Sequence, residues 1–171
     1  WMGCTIHSGD REFGVPDEYP LEAAGCRIDE NGKKYIRVKG VRWYTNIDHG
    51  RRHNPLSLMS MADNIKYSKH KDIQGKKYQH YDNYDAIEIP YTDAIPCDYE
   101  NLMGVPVTFL DKYCPEQFDI IWQACGNTRA SAPKEILDEV GYTIHPEDRG
   151  GCGVVNNKRQ YARILIRKKH L

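Results

Sequence analysis

Paired cysteines are missing from this sequence. Its six cysteines (Cys4, Cys26, Cys97, Cys114, Cys125 and Cys152) come no closer than the eleven-residue step from Cys114 to Cys125. Structural zinc sites bring ligands roughly two to four residues apart, and small secreted scaffolds are far denser in cysteine, so neither class fits and reduced thiols are expected. No apolar run approaches the roughly 18 to 20 residues of a membrane-spanning helix, and no charged-then-apolar leader opens the chain, so a cytoplasmic location is expected. Internal repeats and low-complexity tracts are absent too. An excess of one charge is missing as well: 24 Lys and Arg balance 24 Asp and Glu.

That zero hides a segregation along the chain. From His49 to Tyr81 seven Lys or Arg stand against two Asp, a balance of +5; from Asp82 to Asp119 one Lys stands against nine acids, or −8; from Asn156 to Leu171 six basic residues meet no acid, or +6. Two readings follow. The stretches neutralise each other within the fold, or a basic face meets phosphate, where each neutralised phosphate steepens the salt dependence of binding by about 0.9 in log–log slope.

With 171 residues and 40% hydrophobic content the chain has enough apolar material for a real core and one domain, or a domain plus a lobe. "KYIRVKGVRWYTNID" (34–48) is β-branched and aromatic. From Val41 it alternates, Val41, Trp43, Thr45 and Ile47 against Arg42, Tyr44, Asn46 and Asp48, which predicts a strand with one buried face and a bulge at Gly40. Asn31-Gly32 is a turn signal that folds residues 26–38 into a hairpin. "FDIIWQA" (118–124) and "YARILIRK" (161–168) read as strands, the second with Ala162, Ile164 and Ile166 opposite Tyr161, Arg163, Leu165 and Arg167; "DAIEI" and "GVPVT" are shorter candidates. Helices are few: "TFLDKY" after Pro106, with Thr108 and Asp111 spaced as a capping box, and "PKEILDEVG" between Pro133 and Gly141. Residues 49–81 show little clean period, consistent with a loop or an irregular helix. Pro106, Phe109, Leu110, Tyr113, Phe118, Ile120, Ile121 and Trp122 read as core.

The chemistry candidates are weak one by one. His49 and His53 have the four-residue spacing of helical zinc ligands, but "HGRRH" carries no Glu after His49 and places Arg51 and Arg52 where a cation would sit. GxSxG is absent. Asp82, Asn83 and Asp85 in "YDNYDAI" fit a turn cap better than a magnesium site. "RGGCGV" (149–154) is glycine-rich without the strand and helix that frame a phosphate cradle. Asp48, ending a strand on its polar side, reads as a turn cap.

Four collinear segments change the picture: "WYTNID" (43–48), "YDNYDAI" (81–87), "MGVPVTFLDKYCPEQFDII" (103–121) and "YARILIRKKHL" (161–171). Together, and with "WMGCTI…GVPDEYP" ahead of them, they resemble the C-terminal half of the EcoRI-type adenine-specific DNA methyltransferases. The resemblance implies methyl transfer from S-adenosylmethionine to adenine N6 in duplex DNA, on a Rossmann-like catalytic sheet, with the target base taken out of the stack. It also implies two motifs, a glycine-containing cofactor loop and an Asn-Pro-Pro-aromatic tetrapeptide that grips the adenine amine. Neither is present. In "HNPLS" Asn54 and Pro55 are followed by Leu56 and Ser57, which cannot stack on a base.

The expectation is therefore a C-terminal piece of such an enzyme, consistent with the abrupt start at Trp1 in what reads as a strand already under way. The expected fold class is α+β: a mixed, largely antiparallel sheet with few short helices. Residues 1–48 would be the last strands of the methyltransferase sheet and 49–171 a DNA-recognition region, or the two would form one continuous domain. The expected partner is double-stranded DNA, with self-association through open sheet edges. S-adenosylmethionine would serve the whole protein, with none held by this chain. Arg51, Arg52, His53, Asn54, Lys66, Lys69, Lys71, Lys76 and Lys77 are the candidate DNA contacts: cations for phosphates, His53 and Asn54 for base edges, Asn being suited to adenine. No catalytic or metal-binding residue is assigned. The alternatives are a non-catalytic nucleic-acid-binding module and a metal-dependent nuclease built on His49, His53 and Asn54.

Overall fold

The computed structural model describes residues 4–20, 22, 24–45 and 47–169, with only the backbone described for 4–8 and 42–44. The chain separates into two units, Trp1–Asp48 and His49–Leu171. The first is a three-stranded antiparallel sheet of β1 (Cys4–Val15), β2 (Cys26–Ile28) and β3 (Lys34–Thr45) in the order β1-β3-β2.

The β2–β3 hairpin forms where the turn signal places it. Asp29 accepts the N–H groups of Asn31 at 3.0 Å and Lys33 at 2.9 Å, closing the Asn31-Gly32 turn. Opposite β1 the register slips between Gly9 and Arg11, so Lys39 and Gly40 face the single residue Asp10. Gly40 sits at φ +65°, a conformation that glycine takes without the Cβ penalty, and this is the bulge expected there. Asp10 locks it by accepting the Gly40 N–H and pairing with Arg37 at 2.9 Å.

The expected alternation along residues 41–48 is only partly on view. The side chains of Arg42, Trp43 and Tyr44, and all of Asn46, lie outside the described residues. Ile47, placed on the apolar side, is 74% exposed and follows the end of the strand. No described residue of β3 is buried.

The second unit is built on a four-stranded sheet, β4 (Ala86–Glu88), β5 (Leu102–Pro106), β6 (Phe118–Ala124) and β9 (Arg163–Lys168), in the order β4-β5-β9-β6. Only β4 and β5 run parallel; the other pairs are antiparallel, giving the mixed, antiparallel-dominated α+β class. A short hairpin of β7 (Val154–Val155) and β8 (Lys158–Arg159) stands apart from it.

Both faces of this sheet are covered. On one, Ile87, Met103 and Ile166 lie in register and are 2% exposed or less, as are Val105 and Ile164 in the next row. On the other, Ala86, Leu102 and Leu165 pack with Tyr81, Tyr84, Ala124 and Val140. Ile164, Leu165 and Ile166 are therefore buried in succession, correcting the one-sided alternation read for 161–168: β9 is an interior strand and needs apolar residues in both directions.

Phe109, Leu110 and Phe118 are fully buried as expected, Phe109 meeting Phe118 edge to face at 5.4 Å; Pro106, Tyr113, Ile120, Ile121 and Trp122 are half-buried at its margin. Val107–Asp111 is a 3-10 turn and not a capped α-helix; Thr108 makes no capping bond because Pro106 occupies the cap position. The helix after Pro133 forms as α2 (Lys134–Glu139), and Gly141 closes it at φ +60°. Within 49–81 a regular helix does form, α1 (Met61–Tyr67), whose first turn is held by the Ser60 hydroxyl accepting the Asp63 N–H at 3.0 Å. Cys26, Cys97, Cys114, Cys125 and Cys152 are free thiols, and no helix among the described residues is long and apolar enough to cross a membrane.

Candidate nucleic-acid interface

The segment after the first unit is pinned in place by one buried side chain. Gln117 accepts the Leu56 N–H at 2.6 Å and donates to the Leu56 carbonyl at 2.9 Å, while its own carbonyl receives the Lys169 N–H at 2.8 Å. Ahead of Leu56, Gly50–His53 forms a 3-10 turn with three basic side chains, Arg51, Arg52 and His53, in its last turn. His53 Nδ1 lies 2.6 Å from Glu116 Oε1, and the Arg52 guanidinium sits 5.9 Å from the centre of the Tyr113 ring. The Cys114 thiol and then His53 hold the Glu116 carboxylate down to about 2, so it stays ionised beside His53.

Beside this turn opens a cleft of about 490 Å³, lined by Arg51, Asn54, Leu56 and Ser57 from one side and by Asp93, Asp111 and Lys112 from the other. Its Asp93 wall is a junction. Lys69 and His70 Nε2 each reach Asp93 at 2.8 Å, and His70 stacks flat on Tyr91 at 3.7 Å. Tyr91 donates to Asp72 at 3.0 Å, and Asp72 has Lys76 at 3.9 Å. Burial works to raise Asp93, and the bonds from Lys69 and His70 outweigh it, leaving it below the ordinary carboxylate range.

The nine sequence-derived contacts therefore fall into groups. Arg51 and Asn54 line the cleft, Lys69 is tied to its wall, and Arg52 and His53 lean on the adjoining 113–116 turn. Lys76 joins through Asp72. Lys66, in the last turn of α1, lies over the Tyr67 ring at 4.8 Å, while Lys71 and Lys77 are exposed in the turns that follow. Lys69 and Lys76 both meet acids, so part of the basic stretch is neutralised internally, yet Lys69 keeps 75% of its side chain in solvent. The terminal Arg167 and Lys169 pair with Glu139 and Asp119, each at 3.0 Å. Lys112 also lines the cleft, and as a single cation in an acidic stretch it carries no signal in sequence alone.

The other motifs serve the fold. Asn83 is buried and donates to the Cys152 carbonyl at 2.9 Å while accepting the Val154 N–H at 2.9 Å; Tyr84 donates to the Gly151 carbonyl at 2.6 Å. Asp82 caps the Asn157 N–H at 2.8 Å. A Cβ at Gly151 would lie 2.4 Å from Thr128 Oγ1, and one at Gly153 would lie 2.3 Å from the Tyr81 ring, so the "RGGCGV" glycines allow close packing of the chain on itself. Among the described residues no group of three His, Cys, Asp or Glu is placed to hold a metal ion.

This loop is anchored by Asp148, 3% exposed, which accepts the Tyr142 hydroxyl, the Gly150 N–H at 2.7 Å and the His145 N–H at 3.3 Å. Burial raises its pKa, and these bonds outweigh burial to leave it below 3.8. A carboxylate depressed in the folded state stabilises above its unfolded pKa, and that contribution is lost as pH falls through the folded value. Urea midpoints measured from pH 7 down to 3 are expected to fall below about pH 4, and Asp148→Asn to be weaker at pH 7 with a flatter acid limb. Parallel acid limbs for the two proteins would show that Asp148 is not the group responsible.

The second unit is thus an antiparallel-dominated α+β fold with a cation-edged cleft. Its lineage is plain from sequence comparison: the chain belongs to the adenine-specific methyltransferase EcoRI family, whose sequence model matches residues 1–169. It is 37% identical over its whole length to the type II methyltransferase M.EcoRI of Escherichia coli, covering 43% of that protein. It is 31% identical over its whole length to M.MgeORF184P of Mycoplasma genitalium and 27% identical over 99% of its length to M.MpnI of Mycoplasma pneumoniae, both type II methyltransferases, covering 50% and 49% of them. The chain thus spans about half the length of the curated relatives it matches. No solved structure matches it.

Proposed function

We propose that this chain is the DNA-recognition part of an adenine-specific DNA methyltransferase, which as a whole transfers a methyl group from S-adenosylmethionine to adenine N6 in double-stranded DNA. The observation that carries this reading is the family match over nearly the entire chain. The cleft supports it. Arg51, Lys112 and Lys69 supply cations for phosphates at its edge, while Asn54 and the Asp93 and Asp111 carboxylates offer the groups that pair with adenine and with the cytosine amine.

The residues present do not fit the methyl donor or a captured adenine. Both the N–H and the C=O of Leu56, in the segment nearest to an adenine-gripping motif, are already taken by Gln117, and no aromatic lines the cleft. The glycines of 149–154 are filled against by Tyr81 and Thr128. In this reading methyl transfer belongs to other parts of the protein, and the present chain positions the duplex.

Fluorescence anisotropy of a labelled duplex across 50 to 200 mM salt tests the proposal. The wild-type chain is expected to bind with a steep salt slope, and the triple variant Arg51→Ala, Lys69→Ala, Lys112→Ala to lose about 2.7 from it, at about 0.9 per phosphate contact. Wild-type protein that binds no duplex, or a triple variant with an unchanged slope, would remove this surface from the reading.

A further inference from the structure

A second cleft, of about 520 Å³, is lined by Cys125, Gly126, Arg149, Cys152, Arg159, Gln160, Tyr161 and Ala162. Unlike the first cleft, it has no carboxylate in its wall. Among the described residues neither Arg149 nor Arg159 forms an ion pair, whereas Arg27, Arg37, Arg129, Arg163 and Arg167 each have an acid within 4 Å. Asp148, the carboxylate next to Arg149 in sequence, is buried and spent on Tyr142, Gly150 and His145. Asp82, which touches the neighbouring hairpin, accepts the Asn157 N–H. Two guanidiniums thus face one hollow with no acid partner among the described residues. Burial pushes the Cys125 and Cys152 thiols upward, so both stay neutral and add no negative charge to repel an anion.

The backbone that presents these groups is held firmly. Asn156 and Asn157 take φ +50° and +59°, turning β7 back into β8, and the Gln160 N–H donates to the Gly153 carbonyl at 2.8 Å. Asn83 ties down Cys152 and Val154 from beneath. Tyr161, 82% exposed at the rim, has its carbonyl held by Arg163 Nη1 at 3.0 Å. An arginine fork matches phosphate oxygens two at a time, and an exposed aromatic beside it offers a face to a sugar or base.

We infer that this cleft is a second DNA-backbone site, in which Arg149 and Arg159 grip a phosphodiester and Tyr161 packs against the adjoining nucleotide. It rests on the reading of the chain as a DNA-binding part. The site is separate from the first: Ala162 precedes β9 at one end, while Gln117, which holds Leu56 of the first cleft, is bonded to Lys169 at the other. Seven residue steps of extended chain, about 23 Å, separate them. At that separation their contributions to binding add.

The test uses the full chain and the same anisotropy titration. Arg149→Asn with Arg159→Gln, Asn being suited to the positive φ of +48° at position 149, is expected to weaken duplex binding about tenfold on every sequence and to lower the salt slope by about 1.8. Arg159→Lys keeps the slope, because the charge remains. Tyr161→Ala, a rim substitution that leaves the fold alone, weakens binding without changing the slope. An unchanged affinity and slope in the double variant, with the Arg51, Lys69, Lys112 variant impaired, overturns the second site alone. Absence of any salt-sensitive duplex binding by wild type overturns both assignments. Saturable binding of inorganic phosphate by wild type, with duplex affinity unaltered in the double variant, overturns the DNA assignment in favour of a small-anion site.

Discussion

Glu88→Ala is expected to remove about 3 to 5 kcal/mol of folding stability, the cost of leaving one member of a buried ion pair without the other. Glu88 lies on β4 and Arg163 on β9, with side chains 10% and 12% exposed, and three bonds of 2.6, 2.9 and 3.2 Å join the guanidinium to the carboxylate. The Tyr81 hydroxyl donates to the same carboxylate. Truncating Glu88 therefore strands a charge that does not titrate away, since a guanidinium stays protonated without a partner, and orphans a buried hydroxyl as well. At about 2 to 4 °C per kcal/mol for a chain of this size, the melting temperature should drop by about 6 to 20 °C. The control is the apolar pair Glu88→Met with Arg163→Met. Replacing both partners of a buried pair by residues of similar volume is often neutral, so most of the loss should be recovered.

That control also separates stability from binding. Arg163 Nη1 holds the Tyr161 carbonyl, so the apolar pair restores the core but releases the rim of the second cleft. Thermal melts should then return close to wild type while duplex affinity stays low. Recovery of both together would mean that Arg163 orders nothing beyond the core, and failure to recover stability would mean that the pair is worth more than an apolar contact here.

Elements with strong local signals were legible in the sequence. Phe118–Ala124 is a β-branched and aromatic run bounded by Pro115 and Gly126; the 26–38 hairpin turns on Asn31-Gly32; α2 is fenced by Pro133 and Gly141. One reading is corrected because partners distant in sequence decide it. Leu165 looked like the outer face of an alternating strand, but β9 lies between β5 and β6 and the Tyr81 cluster covers that face. The 61–67 helix has no clean period, in keeping with the loop or irregular helix expected there, and its local signal is Ser60 three residues before Asp63.

The candidate site divides in the same way. The basic turn at 50–54 stood out because four chemically active residues are adjacent in sequence. The Asp93 wall did not, because it comes from a stretch whose net charge is of the opposite sign. Arg149 and Arg159 are ten residues apart, each unremarkable alone. What unites them is the Asn156-Asn157 turn, a hairpin signal readable in "VVNNKR" that returns the chain beside the glycines.

Gly104→Ala should be nearly as damaging as the loss of Glu88, although it adds a single methyl group. Gly104 pairs with Glu88 on one side and Leu165 on the other, and a Cβ there would lie 2.1 Å from the Tyr81 hydroxyl and 2.6 Å from its ring. The ring has nowhere to retreat, for a Cβ at Gly153 would already be 2.3 Å from its opposite edge. Overpacking of this kind costs about 1 to 3 kcal/mol, and here displacement of Tyr81 also breaks its bond to Glu88, adding about 1 to 3 kcal/mol for the unmet polar group. Tyr81→Phe alone should be mildly destabilising and should relieve only part of the clash. Tyr81→Ala leaves a cavity in the otherwise intact protein, yet combined with Gly104→Ala it should cost much less than the two losses summed, because the methyl then enters emptied space. Denaturant melts of the four proteins in that cycle give the coupling directly. A strongly favourable coupling would establish that glycine stands at position 104 to admit the tyrosine that organises the ion pair; additive losses would mean that the strand itself, and not Tyr81, rejects the side chain.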